Sequence, residues 1–82
     1  MDNMIHTVTL VKKNGERIEG IKANVQKKKI YISRSDILIE TGDLIHRKMS
    51  NGGEETYEVI DPGFFEAQGG IEAHYQMSVK KD

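Results

Sequence analysis

The residues of this chain that could do chemistry are three histidines, an acidic run, four serines and a basic run. His6, His46 and His74 come first, because three protein ligands and an open position make a catalytic zinc site. No two of them share a short ligand spacing, and each falls mid-strand beside apolar residues. They read as surface or half-buried strand histidines, and no metal is expected. Asp36, Glu40 and Asp43 fall within eight residues. A hard cation such as Ca²⁺ wants about six or more oxygens, usually from a Gly-bearing loop, and D-x-x-x-E-x-x-D lacks that spacing. Asp43, directly after Gly42, has a simpler task, since its carboxylate can accept the turn's own amides. Ser33, Ser35, Ser50 and Ser78 lack a G-x-S-x-G context and an identifiable base partner. Gly52-Gly53 and Gly69-Gly70 lack the downstream Lys-Ser/Thr of a phosphate loop. The absence of Cys removes disulfides, Cys-ligated zinc and thiol catalysis. The chain is expected to be no enzyme and to carry no cofactor.

Lys27, Lys28 and Lys29, together with Arg34, Arg47 and Lys48, give a stronger signal. Basic side chains on a small β-barrel, with Tyr31 and Tyr57 to stack on bases, can grip single-stranded nucleic acid. The formal charge of −1 and a 6% aromatic content point the other way, because such modules present a positive excess. That total conceals a split. Residues 1–50 hold ten Lys/Arg against six Asp/Glu, whereas residues 51–82 hold two against seven. Such asymmetry can support head-to-tail contacts or steer one face toward a partner.

These side chains must be positioned by strands. Val and Ile supply fifteen of the apolar residues, and Leu and Ala only six; branching at Cβ suits a pleated surface better than a helix. Residues 4–12 alternate as a first strand, with His6, Val8 and Leu10 on one face. Asn14-Gly15 makes a hairpin turn into Arg17–Val25, where Glu19, Ile21, Ala23 and Val25 share a face and Gly20 marks a bulge or bend. After a turn at 26–28, Lys29–Ser33 points Ile30 and Ile32 inward and Tyr31 outward. Residues 34–40 could start a helical turn capped by Ser35, but three successive aliphatics favour an extended crossing segment. Thr41-Gly42-Asp43 turns the chain into Leu44–Met49, and residues 50–53 turn it again into Glu55–Ile60. Asp61-Pro62-Gly63 is expected to end that strand and reverse the chain. Phe64–Gly70 reads as an irregular, Gly-bounded loop that tucks one ring over a barrel end, and Glu72–Lys80 is the last strand. The sum is a single all-β domain over residues 1–82, a small antiparallel barrel of five or six strands or a strongly bent sheet. At this size the buried fraction is small, and closure removes exposed edges.

The most distinctive text runs from Gly42-Asp43-Leu44-Ile45-His46-Arg47, through Tyr57-Glu58-Val59-Ile60-Asp61-Pro62-Gly63-Phe64, to Gly70-Ile71-Glu72-Ala73-His74-Tyr75-Gln76. It resembles a segment of uncharacterised bacterial proteins with the pattern GD-x-I-x-R, Y-x-V-x-D-P-G, H-Y-Q, over residues 42–80. Gly42-Asp43 through Val59 is also similar to the small β-barrels of tailed-phage necks, which join head to tail. Both resemblances imply a non-catalytic β module. The expectation is therefore a protein-interaction or assembly module that docks on a larger protein or on copies of itself through Phe64, Phe65 and Tyr75. It would be a phage or mobile-element structural component or a subunit of a larger system, such as a bacterial defence system. The alternative is single-stranded nucleic-acid binding through Lys27, Lys28, Lys29, Arg34, Arg47, Lys48 and Tyr31. No apolar run approaches the ~20 residues of a membrane span, and MDNMIHTV lacks a signal peptide's apolar stretch. A cytoplasmic protein, or one carried in a virion, is expected.

Overall fold

The computed structural model describes residues 5–82. Seven strands form in chain order: β1 (His6–Val11), β2 (Arg17–Val25), β3 (Lys29–Ile32), β4 (Leu44–Lys48), β5 (Glu54–Asp61), β6 (Phe64–Phe65) and β7 (His74–Lys81). Met4, the first residue of the expected opening strand, lies outside the described residues. Every pairing is antiparallel, and the hydrogen-bonded order is β3-β2-β1-β4-β5-β7 with β3 returning to β7. Six strands therefore close into a barrel, and β6 adds a short seventh to β7. Among the described residues there is no helix, so none that could cross a membrane.

The expected alternation builds the core. Val8, Leu10, Ile30, Ile32, Tyr57, Val59, Met77 and Val79 all point inward and are buried. One phase differs from the sequence reading. Val8 pairs with Ile21 but Leu10 pairs with Ile18, so Glu19 and Gly20 together oppose Thr9. Gly20 takes φ +74° in this bulge, and the extra residue reverses the inward parity. Ile18 consequently packs on the core and Glu19 is exposed, instead of sharing the face of Ile21.

β3 and β4 are three strands apart whichever way round the barrel one counts, so they occupy opposite walls. Residues 33–43 must cross the mouth to join them, and they do so extended and bent, without a helical turn. Ile39 is buried in that mouth and Ile37 packs against the core. Tyr75 holds the crossing in place: its hydroxyl donates to the Ile37 carbonyl (2.7 Å) and accepts from the Ile39 amide (3.3 Å). Beside it, Lys12 donates to the Leu38 carbonyl and pairs with Glu40 (3.1 Å) and with Asp43. Asp43 is fully buried, and its Oδ2 also accepts the Glu40 amide (2.8 Å), as a turn aspartate should.

The opposite mouth is closed by a polar network around Glu55. Its carboxylate accepts from Lys81 Nζ (2.8 Å), Tyr57 Oη (2.7 Å) and Arg47 Nη1 (3.4 Å). The hydrogen bonds from Lys81 and Tyr57 hold the Glu55 carboxyl below its ordinary 4.5. A carboxylate with a depressed folded pKa contributes stability above its unfolded value, and that contribution disappears as pH falls through the lower folded value. Urea melts of the wild type are therefore expected to lose stability below about pH 4.5 more steeply than those of Glu55→Gln. Equal acid slopes would exclude Glu55 as a source of that loss.

Candidate interaction surface

Two features of the chain after Val59 build the surface. β5 and β7 pair in the barrel as far as Val59 with Val79; then Ile60 bulges out, and Asp61 pairs with Ser78. Pro62 and Gly63 kink the chain without reversing it. The Gly63 carbonyl accepts the Gln76 amide (2.9 Å), and pairing resumes as Phe64 with Tyr75 and Phe65 with His74. The expected reversal at Asp61-Pro62-Gly63 is thus corrected. Pro62 removes one amide, but the positive φ of Gly63 turns the chain back onto β7. The reversal comes instead at Gly69-Gly70 (φ +56° and +84°), where Gln68 and Ile71 exchange hydrogen bonds of 3.0 and 2.9 Å. Two successive positive φ values fit the right-handed twist of a tight hairpin. Residues 62–74 accordingly form a ribbon that runs on past the mouth of the barrel, where an irregular loop was expected.

The ribbon's side chains are poorly covered. Phe65 is 50% exposed and Ile71 61% exposed. Phe65 stacks on the His74 ring with centroids 5.5 Å apart. His74 is in turn fixed by Glu72 and Gln76, its Nδ1 lying 2.8 Å from the Glu72 carbonyl and its Nε2 2.8 Å from Gln76 Nε2. Phe64, on the other face, packs against Tyr75 at 4.8 Å and so leans on the mouth as one ring was expected to do, yet it stays 39% exposed. Tyr75 itself leaves the expected contact set. It is 4% exposed, and both its ring and its hydroxyl are used inside the mouth. Ile71 takes its place, a residue that the reading of a Gly-bounded loop passed over. Among the described residues β6 pairs with β7 alone. On the far side of β5, hydrogen bonds between Gly42, Asp43 and Val59 and from Thr41 to Ile60 end the pairing with the β4 side. The outer edge of β6 is therefore an unpaired backbone edge beside exposed apolar side chains.

The alternative nucleic-acid residues do not gather on one wall. Lys29 and Tyr31 lie on β3, Arg47 and Lys48 on β4, and those strands face away from each other. Arg34 sits near the other mouth, bound by Asp36 through two contacts of 2.8 and 2.6 Å, and Arg47 is engaged by Glu55. Lys27, Lys28 and Lys48 share an end of the barrel, though not a face.

The histidines separate as well. His6 and His74 lie at opposite mouths, and His46 lies on the outside of β4 against Thr56 Oγ1 (3.1 Å). Burial and the nearby Arg47 charge push the His6 imidazole below its ordinary pKa, so its Nδ1 is free to accept the Val25 amide (3.1 Å). Among the described residues no group of three His, Cys, Asp or Glu side chains converges as a metal site requires. Comparison with family models, curated proteins and solved structures finds no match to this chain.

Proposed function

We propose that this chain is a non-catalytic protein-interaction or assembly module whose contact surface is the ribbon of residues 62–74. The observation that carries the reading is the pairing of an open β6 edge with Phe65 and Ile71 left uncovered beside it. Exposed sheet edges offer unpaired backbone groups to a partner. Large rings in such a position anchor interfaces, because they bury much area at little entropic cost. The resemblance to phage head-to-tail joining barrels and to the bacterial GD…Y-x-V-x-D-P-G…H-Y-Q segment fits the same reading, with a virion or cytoplasmic location accordingly. Single-stranded nucleic-acid binding is the weaker reading, because the basic residues it needs are split between opposite walls.

Phe65→Ala is expected to leave the thermal melt within about 1 kcal/mol of wild type, since the ring is half in solvent. Partner capture should fall at least about tenfold, as for a central aromatic anchor. Tagged wild type and variant would be compared in quantitative pull-downs from cells expressing the protein, with mass spectrometry naming the species that depend on Phe65. If Phe65→Ala unfolds the domain, Ile71→Ser takes its place. Equal recovery of every species by wild type and variant would overturn the ribbon as the contact surface.

A further inference from the structure

Resting on the reading of the ribbon as a contact surface, we infer that its partner is a second copy of this chain, bound head to tail. The ribbon of one copy would lie against the opposite, basic end of the next. Charge is the first argument. Residues 61–74, the ribbon and the residue that leads into it, carry Asp61, Glu66 and Glu72 and no Lys or Arg at all. The other end of the barrel collects Lys27 and Lys28 from the β2–β3 turn and Lys48 from the end of β4. Among the described residues, none of these three lysines is in an ion pair. The ribbon is thus acidic and carries uncovered apolar side chains, while the turns at the far end carry unpaired lysines.

The basic end also offers somewhere for those side chains to go. An open groove of about 910 Å³ runs along the outer wall of β1, between the bulged start of β2 and the β4–β5 hairpin. Ile5, 68% exposed, and Met49 supply apolar surface there, and Arg17, Arg47 and Lys48 line the groove against Glu19 and Glu54. A ribbon carrying Phe65 and Ile71 matches this groove in apolar character, and its acidic residues meet a lining with one more cation than carboxylate. The symmetric arrangement, two ribbons pairing through their β6 edges, is disfavoured by the same charges. It would set Asp61 and Glu66 of one copy against their counterparts, and like charges facing across strands destabilise the pair. A head-to-tail contact leaves one ribbon and one basic end unused in every dimer. Association therefore continues until the array closes or runs on.

Sedimentation velocity on the full chain tests this with two variants. Phe65→Ser/Ile71→Ser disables the ribbon, and Lys28→Gln/Lys48→Gln disables the basic end. All four positions are surface side chains, and circular dichroism checks the fold; Glu66→Gln/Glu72→Gln replaces the ribbon variant if it fails to fold. The wild type is expected to pass beyond a dimer as concentration rises, and to associate roughly tenfold more weakly at high salt than at low salt. Each variant alone should sediment as a monomer. Their equimolar mixture should form a dimer and stop, because only one intact ribbon and one intact basic end remain. A wild type that is monomeric at every concentration and salt overturns the second copy as partner, while the pull-down still decides the ribbon's role. Association that survives in both variants overturns this inference and the ribbon reading together. A mixture that stays monomeric overturns the head-to-tail arrangement.

Discussion

Gly63→Ala is expected to be the most damaging single methyl that can be added to this protein. A Cβ built on Gly63 would sit 2.3 Å from the carbonyl oxygen of Gln76 and 3.2 Å from its carbonyl carbon. Both atoms are backbone, and the Gln76 amide is committed to the Gly63 carbonyl at 2.9 Å. Neither strand can move aside without breaking the pairing that carries the chain from β5 into β6. The φ of +57° adds a second cost for any L side chain. A loss of about 3 kcal/mol or more follows from these two terms, which in a domain this small lowers Tm by more than ~12 °C. Gly70→Ala is the control: its φ is also positive, at +84°, but nothing lies within 4 Å of the added methyl. It should cost about 1–2 kcal/mol. Thermal melts giving the two variants the same loss would remove the close approach at Gly63 as a constraint.

Asp43→Ala is the second large effect. Asp43 has no exposed side-chain surface and binds Lys12, which is itself only 12% exposed. Removing the carboxylate strands a covered ammonium and takes the acceptor from the Glu40 amide. Breaking one partner of such a pair typically costs about 3–5 kcal/mol. Glu40 still reaches Lys12 at 3.1 Å but is itself half in solvent, so it offsets little of that loss. Lys12→Met should also be destabilising, since it leaves a buried carboxylate with Oδ1 already lacking a hydrogen bond among the described residues. The double variant Lys12→Met/Asp43→Ala is expected to lose less than the sum of the singles, and chemical denaturation of the four proteins gives that coupling. Additive losses would show that the two groups do not act as a pair. Alkaline pH offers a further readout. Burial disfavours the Lys12 ammonium, but the hydrogen bonds to Asp43 and Glu40 outweigh it and raise its pKa. The resulting stability is complete below the ordinary value of 10.5 and is lost as pH climbs through the raised one.

The strands were legible because their signal is local. Tyr75, Met77 and Val79 alternate with polar neighbours, and only one face can be buried. Asn14-Gly15 and Asn51-Gly52 announce hairpins for the same local reason, with both glycines at positive φ. Two kinds of information were out of reach. Glycine can signal a break without saying which way the chain goes: Gly20 marks a bulge or bend, but nothing local fixes its effect on the phase of Ile18 and Glu19. Gly63 looked like the reversal that belongs to Gly69-Gly70. Contacts set by closure were equally hidden. Glu55 meets Lys81 and Lys12 meets Asp43 only after six strands fix their register. Of the expected contact residues, Phe64 and Phe65 could be picked out by type. The burial of Tyr75 depends on a crossing segment whose path no periodicity records.

The pairing of β3 with β7 carries a consequence for how the chain reaches this shape. Ile30 meets Met77, and Ile32 meets Tyr75, across most of the chain's length. β1 to β5 can assemble largely through short turns and one crossing, but the ring is open until the last strand arrives. Pairings this distant in sequence slow folding, because the intervening chain must be ordered before the contact repays it. As the chain is made from its N-terminus, β1 to β5 exist before residues 75–78 that close the ring on β3. For that interval β3 presents a bare edge with Ile30 and Ile32 at its side. Synthesis of this protein thus includes a short, unavoidable period of stickiness, and it ends only when the final strand is released.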